Sequence, residues 1–491
     1  VLESSIAVTT ISDEDLLRKT PRSTVDALEL IPGVIVEATG GEVSNNYTVR
    51  GLAGGGQQFV QLLEDGLPVK YRNGLVDTVL KQDVTIGRVE AVRGGTSSIL
   101  TVQGAGAAIN FITRKPGEDA EGTFRVTGST YNTQKVEFWY GAPIGGDWYG
   151  SLGGYYRNSD SVRDTGFTAD RGGIFKGLVE KRMQDGTIGF TFKVVDEHNT
   201  FLLPTPFENF DNPRAIAGFD PLEGTMLSID NAVMIGRNTV NSGDTLVSRN
   251  DLTEGFDTDA IQIGFFFDKD IRDGVTLNLR GRYIDFDTTL NAVFNVDNGS
   301  IVRAEDRVDP AQFGDVNDML TRFAADGAVA AGLAYVSDGQ LLSAADLAGL
   351  NGNGLVTNGV SRSPWESTRE FVTDISVDWE TDRNFLTVGA LLFDTRFDRG
   401  ENGMNTFLSE VTNNPRRMDI VALDAGNNVV GYLTEDGVLN YGAWGESAAS
   451  ESTQSTSFYV NNEYQVSDDL RIDFGIRSER LEGTFKERQG Y

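Results

Sequence analysis

Few residues of this chain are equipped for chemistry. It has one histidine, His198, and no cysteine, so thiolate nucleophiles, disulfides and thiolate metal sites are removed together. Carboxylates are plentiful, and Glu254 and Asp257 stand close enough in sequence for paired acid–base work. They fall in a long acidic stretch, however, where solvated charge is the ordinary state. His198, at a strand end, reads as a surface residue, and a haem receptor would need more histidine ligands than this. The run Gly104-Ala-Gly-Ala-Ala-Ile after Ile99-Leu-Thr-Val102 imitates a dinucleotide-binding glycine loop. No helical pattern and no ribose-binding acid follow it in a βαβ frame. No catalytic residue, resident metal or cofactor is expected, and the chain does not read as an enzyme.

The bulk numbers narrow the class further. With 491 residues, the chain is long enough for several soluble domains or for one large barrel with a smaller companion. Its 72 acidic against 42 basic residues give a net charge of -30, which repels phosphate backbones and sets nucleic acid aside as a partner. No stretch approaches the roughly 18 apolar residues of a membrane helix. Val1-Leu-Glu-Ser-Ser-Ile lacks the basic start and apolar run of a signal peptide, and the N-terminus is expected to be processed or incomplete.

What must position any functional residue is a series of strands. After about residue 120, apolar and polar side chains alternate with a period of two, which sorts them onto opposite faces. Ile188, Phe190, Phe192 and Val194 oppose Thr187, Gly189, Thr191 and Lys193. Val275, Leu277, Leu279 and Tyr283 oppose Thr276, Asn278, Arg280 and Arg282, and similar patterns recur from Phe371 to Trp379 and from Leu470 to Ile476. These runs exceed the usual soluble strand and suit a tilted membrane strand. Short turns at Gly145-Gly-Asp147, Gln184-Asp-Gly186, Ile271-Arg-Asp-Gly274, Thr381-Asp-Arg-Asn384 and Ser467-Asp-Asp469 alternate with long connections over 157–171, 197–256, 287–366 and 399–453. The pattern predicts a transmembrane β-barrel with eleven strands present, starting near residues 122, 134, 148, 173, 187, 257, 274, 367, 385, 455 and 469.

The first 116 residues are different. Ser12-Asp-Glu-Asp15 and Ser23-Thr-Val-Asp26 each offer a capping box, the second opening a helix through Ala27-Leu-Glu-Leu-Ile31 that Pro32-Gly33 ends. Phe59-Val-Gln-Leu-Leu63 and Val89-Glu-Ala-Val92 read as strands, and Glu64-Asp-Gly66 as a tight hairpin turn. Three glycine-punctuated segments stand in order. They are Val25-Asp-Ala-Leu-Glu-Leu-Ile-Pro-Gly-Val34, then Tyr47-Thr-Val-Arg-Gly51 leading to Leu62-Leu-Glu-Asp-Gly-Leu-Pro68, then Arg88-Val-Glu-Ala-Val-Arg-Gly-Gly95 closing at Gly104-Ala-Gly-Ala-Ala-Ile-Asn110-Phe-Ile-Thr-Arg-Lys-Pro116. In that order and spacing they resemble the plug domain of TonB-dependent outer-membrane transporters.

The resemblance implies a small mixed α/β plug domain over 1–118, inside a barrel whose N-terminal half is 119–491. About 11 of the 22 strands expected in the full protein are present. It implies uptake of a scarce nutrient, an oligosaccharide or a metal chelate such as a siderophore, across the outer membrane of a Gram-negative bacterium, with outer-membrane lipid and the inner-membrane energy-coupling protein TonB as partners. The alternative is a passive surface receptor or a structural barrel without transport. The coupling segment is expected upstream of Val8-Thr-Thr-Ile11, where Val1-Leu-Glu-Ser-Ser gives no match. Arg50 and Arg93 are expected at the plug–wall interface, paired with carboxylates, Glu463 among them. The three longest connections carry an excess of acid and many aromatics. That combination favours a neutral or cationic ligand, with Tyr335, Trp365 and Trp444 as candidate stacking residues.

Overall fold

The computed structural model describes residues 7–38, 40–52, 59–69, 76–94, 104–202, 205–209, 211–239, 245–295, 301–439 and 446–488. The N-terminal part builds a five-stranded mixed sheet in the order Ala7–Ser12, Ile86–Arg93, Ala107–Thr113, Val60–Glu64, Leu67–Pro68. Only the Val60–Glu64 and Ala107–Thr113 pair is parallel. Asp65 and Gly66 both adopt positive φ, the backbone twist that a two-residue hairpin loop requires. Thr113 donates from its amide and its hydroxyl to the Asp65 carboxylate, which fixes the turn to the neighbouring strand.

Two short helices follow the first strand of this sheet. Ser12 caps Asp13–Lys19 with a complete box, its side chain accepting from Asp15 N while the Asp15 carboxylate returns to Ser12. The second helix, Thr24–Leu28, is capped by Ser23 but lacks the expected reciprocal bond. The Asp26 carboxylate reaches one residue further back, to the amide and guanidinium of Arg22, because that ion pair is stronger than a neutral cap bond. The buried Leu28, Ile31, Leu62, Ile109 and Phe111 share one apolar core.

The rest of the described chain is dominated by one antiparallel sheet whose wall has eleven consecutive strands: Glu121–Gly128, Gln134–Gly145, Trp148–Ser159, Asp170–Met183, Gly186–Asn199, Phe256–Arg272, Val275–Leu290, Leu355–Thr381, Asn384–Glu410, Glu446–Ser467 and Leu470–Arg488. Each pairs with its sequence neighbours. Tight turns join them at one end and long connections at the other, as the alternating connector lengths anticipate. The eighth and ninth strands run to 27 residues each, so part of what reads as loop in 287–366 and 399–453 is strand. Beyond the apolar band these strands bury side chains of both faces against the long connections, Val356 and Leu408 in one apolar cluster and Phe407 in another, and the period-two contrast that marks a strand disappears. Pro364 is tolerated there because it sits at the register shift between Arg362 and Pro364.

The two faces of the wall differ sharply. Phe190, Phe192, Val194, Ile261, Ile263, Tyr283, Phe371 and Ile375 point outward and are exposed. Lys193, Val195, Glu197, Asn278, Arg282, Ile284 and Phe286 point inward and are buried. The inner face is covered by the N-terminal domain, whose core cluster continues into wall residues Tyr155, Ile174, Val195, Ala260, Ile284 and Phe286. An apolar exterior over a charged interior is the reverse of a soluble fold and suits a hydrocarbon surrounding. Phe190→Arg in the full-length protein is therefore expected to lower stability in lipid vesicles by about 2–4 kcal/mol, measured by urea unfolding. A change within about 0.5 kcal/mol, the range of an ordinary surface substitution, would show that this face does not meet hydrocarbon.

Candidate functional site

The inward face and the domain it encloses meet through side-chain charges held out of water. On the fifth wall strand, Lys193 is the single cation between the outward Phe192 and Val194, and its Nζ lies 2.6 Å from Glu64 Oε2. Gln262 of the sixth strand donates to the same oxygen at 3.0 Å. Glu64 ends the strand Val60–Glu64, which is buried along its whole length. Burial pushes its carboxyl up, but the Lys193 and Lys176 charges and the bonds from Lys193 and Gln262 outweigh that and hold its pKa at about 2. One strand away, Lys176 Nζ lies 3.3 Å from Asp83 Oδ2, both fully enclosed, and Asp83 also accepts from the Thr85 amide at 2.6 Å.

A second group sits nearer the long-connection end. Lys81 Nζ lies 3.3 Å from Glu197 Oε2 and donates to Asn199 at 3.0 Å. Glu197, fully buried, also takes Arg157 at 3.1 Å and the Tyr155 hydroxyl at 2.5 Å. Arg157 in turn pairs with Glu42 of the enclosed domain. On the seventh strand Arg282 donates to Glu370 at 2.7 Å and to the carbonyls of Leu67 and Pro68. Carboxylates of one partner and cations of the other thus interleave across the interface, the arrangement in which a buried charge is tolerable. Beside this seam, a polar cavity of about 710 Å³ opens between the second helix and the first three wall strands, lined by Arg22, Asp26, Glu42, Arg125, Glu137 and Arg157.

The residues singled out from sequence are placed as follows. Arg50 has positive φ and is exposed, with its guanidinium beside Gly94. Arg93 is half-buried, donating to the Pro32 carbonyl and, at 2.7 Å, to the Thr9 hydroxyl. Burial, and then the Arg50 charge, push its pKa down. The structure brings these two arginines together but does not bring Glu463 to them. Glu463 instead pairs with Arg471 across the last hairpin, where the register sets them on adjacent strands. Tyr335 is closed inside a module of the long connections. Its hydroxyl donates to Glu410 at 2.7 Å, the Arg416 guanidinium stacks 3.4 Å from its ring, and it has no face free for a ligand. Trp365 lies in the eighth strand opposite Thr289, one position from the Glu366–Thr288 pair, and so on the outward face of the wall. Trp444 lies outside the described residues.

Most other described aromatics of the connections pack on one another. Phe201 stacks with Phe256 and Phe294, and Phe219 and Phe407 share a buried cluster. Phe207 and Tyr432 stay exposed. The interface charges Glu42, Glu64, Lys81, Asp83, Arg157, Lys176, Lys193, Glu197 and Arg282 carry the site, and of their wall members Lys193 and Arg282 were placed on the inner face by the sequence pattern. The signal was available, since Lys176 and Arg157 are lone charges at inward positions of otherwise uncharged strand segments.

A family model described as the TonB-dependent Receptor Plug Domain matches residues 1–108. Among curated proteins, the ferrioxamine receptor of Yersinia enterocolitica is 29% identical over 139 residues, covering 28% of this chain and 19% of that protein. The ferrichrome outer membrane transporter/phage receptor of Escherichia coli K12 is 25% identical over 297 residues, covering 59% of this chain and 36% of that one. The chain therefore spans about a third or less of the curated relatives it matches. The ferripyoverdine receptor of the Pseudomonas aeruginosa outer membrane superposes with a TM-score of 0.60 at 15% identity, covering 100% of this chain and 54% of that one. The ferric-catecholate import receptor Fiu of E. coli K12 gives 0.58 at 14%, covering 99% and 61%. These structural likenesses establish the fold, a plug domain enclosed by a transmembrane β-barrel wall.

The Glu64 pair gives a pH test. The carboxyl's ordinary pKa is 4.5 and its value here is about 2, so its stabilising contribution is complete above about pH 4.5 and is lost as the pH falls toward 2. Glu64→Gln in the full-length protein should remove that acid-side loss and, by leaving Lys193 without its counter-charge, cost about 3–5 kcal/mol at neutral pH. Unfolding midpoints across pH read both effects. An unchanged acid-side slope in the variant would contradict the assignment.

Proposed function

The chain belongs to the TonB-dependent outer-membrane receptor family, and from that premise we propose that the protein takes up a ferric chelate across the outer membrane of a Gram-negative bacterium, driven by the TonB coupling protein. In this reading residues 1–118 are the gate and 119–491 belong to the wall. The observation that carries it is the plug–wall seam of interleaved charges, Glu64 with Lys193, Asp83 with Lys176, and Lys81 and Glu42 with Glu197 and Arg157. A static stopper is best sealed by apolar packing, which resists opening. A seam of ion pairs beside a polar cavity can exchange its partners for water as the plug rearranges, so that opening exposes less apolar surface.

The relatives' names support a ferric chelate over an oligosaccharide, since ferrioxamine and ferrichrome are their stated ligands. The acidic excess of the long connections supports a neutral or cationic chelate over a highly anionic one, because focused negative potential penalises anions. Arg50 and Arg93, adjacent cations at the edge of the plug, are read as further anchoring points for wall carboxylates.

Radio-iron uptake by cells that lack their own chelate receptors and express the full-length protein tests the reading. Ferrioxamine or ferrichrome iron should accumulate, and accumulation should stop when TonB is deleted while surface binding persists. Uptake that is indifferent to TonB would establish a passive receptor. Uptake of a maltodextrin in place of either chelate would overturn the substrate class.

A further inference from the structure

The outward face of the wall carries a group that neither the plug seam nor chelate uptake uses. His198 is the penultimate residue of the fifth wall strand, and Asp257, second in the sixth, lies directly opposite it. Glu254 reaches the same point from the turn that leads into the sixth strand, where Glu254 N bonds Asp251 O and Gly255 takes positive φ. His198 Nδ1 stands 3.2 Å from Glu254 Oε2 and 3.2 Å from Asp257 Oδ1, and the three candidate ligand atoms lie within 4.8 Å of one another.

From this geometry we propose that His198, Glu254 and Asp257 bind one divalent transition-metal ion, zinc by the chemistry of its ligands, at the long-connection rim of the wall. Nδ1 is shielded from solvent and makes no hydrogen bond to either oxygen or to any other described atom. A buried imidazole nitrogen between two carboxylates is poorly satisfied as it stands. A tetrahedral ion bound at about 2.0–2.2 Å separates its ligand atoms by roughly 3.4 Å, close to the 3.2 Å from Nδ1 to each of the two oxygens. One nitrogen with two carboxylate oxygens is a set that zinc accepts, with a fourth position left for water.

The surroundings agree in charge. Arg171 Nη2 lies 2.5 Å from Glu254 Oε2, which holds that carboxylate in place and cancels one of the two negative charges. The remaining charge is what a divalent ion would neutralise. Asp196 Oδ1 stands 3.9 Å from Nε2, on the side where a metal-bound imidazole carries its proton and where an outer carboxylate orients it. Two residues below, Asp196 faces Asp259, and Asp259 in turn faces Asp287. Like charges directly opposite each other are unfavourable and add to the negative potential at this rim. The last outward apolar pair, Val194 with Ile261, lies below them again, which puts the group above the apolar band. A bound ion would tie the two feet of the 200–255 connection together.

The test uses the full-length protein, stripped of metal in detergent, titrated with Co²⁺ as a coloured probe and then with Zn²⁺ in competition. One equivalent of Co²⁺ should develop the absorption of a low-symmetry, four- or five-coordinate site and be displaced by Zn²⁺. His198→Ala and, separately, Asp257→Asn should weaken Zn²⁺ binding by about 100-fold or more, a loss larger than outer-shell changes give. Asp259→Asn, which alters a neighbouring carboxylate outside the ligand set, should change it by less than about threefold. Heat-resistant migration in gels confirms that each variant keeps its barrel. Binding in the parent that is weak and of several equivalents, or binding that His198→Ala leaves intact, would overturn the proposal. So would a parent that binds neither metal but shows an imidazole titrating above the ordinary histidine range, since that marks a simple ion pair.

Discussion

A charge on a wall strand has one side to go to, and the whole structure follows from that constraint. Facing hydrocarbon, a lysine or arginine at midplane costs about 2–4 kcal/mol. Facing the interior it is cut off from bulk water by the plug, and must find an opposite charge there. Lys193 is the plainest case, with Phe192 and Val194 exposed on either side of it and Glu64 of the plug at 2.6 Å. Each partner is the reason the other can be buried.

The consequence is a plug with two kinds of contact. Inside it, Leu28, Ile31, Leu62, Ile109 and Phe111 form an ordinary apolar core, which keeps the domain folded as a unit. At its boundary, charge interleaves with charge, and apolar contact is made in a patch around Ile174, Val195, Ile284 and Phe286 and where Leu67 meets Val372, Leu391 and Phe393. Buried pairs of this kind add little net stability over an apolar seam, yet breaking one partner is expensive. They therefore specify one docking position without making it deep. Under the proposed uptake, a boundary of that character suits a domain that stays put at rest and shifts when pulled. The long connections behave differently. A separate apolar cluster, with Met319, Leu333, Tyr335 and Ile420 at its centre, gives them a core of their own above the wall.

Much of the wall was legible in the sequence, because period-two alternation reports the contrast between its faces. The strands beginning at Gly186 and Val275 could be read residue by residue, down to the inward placement of Lys193 and Asn278. Legibility ended where the contrast did. The eighth strand begins at Leu355 and the tenth at Glu446, well before their apolar alternation starts. The helix caps showed the same limit, since Asp26 had two partners within reach and the sequence does not rank them. The interface itself was harder. Glu64, Lys81 and Asp83 lie 129, 116 and 93 residues from Lys193, Glu197 and Lys176 by numbering, and no local pattern links positions so far apart. Glu463 and Tyr335 illustrate the opposite error. Each has the right chemistry, but a neighbour in the fold, Arg471 or Glu410, claims it first.

The central claim, that buried ion pairs dock the plug to the wall, is most directly tested by a double-mutant cycle on Glu64→Gln and Lys193→Met in the full-length protein, with unfolding free energy as the readout. If the pair does this, each single change is costly, the double change costs less than their sum, and the coupling energy falls at about 0.5–3 kcal/mol. Additivity to within about 0.3–0.5 kcal/mol would mean that the two side chains do not depend on each other, and that something other than these charges holds the plug in its wall.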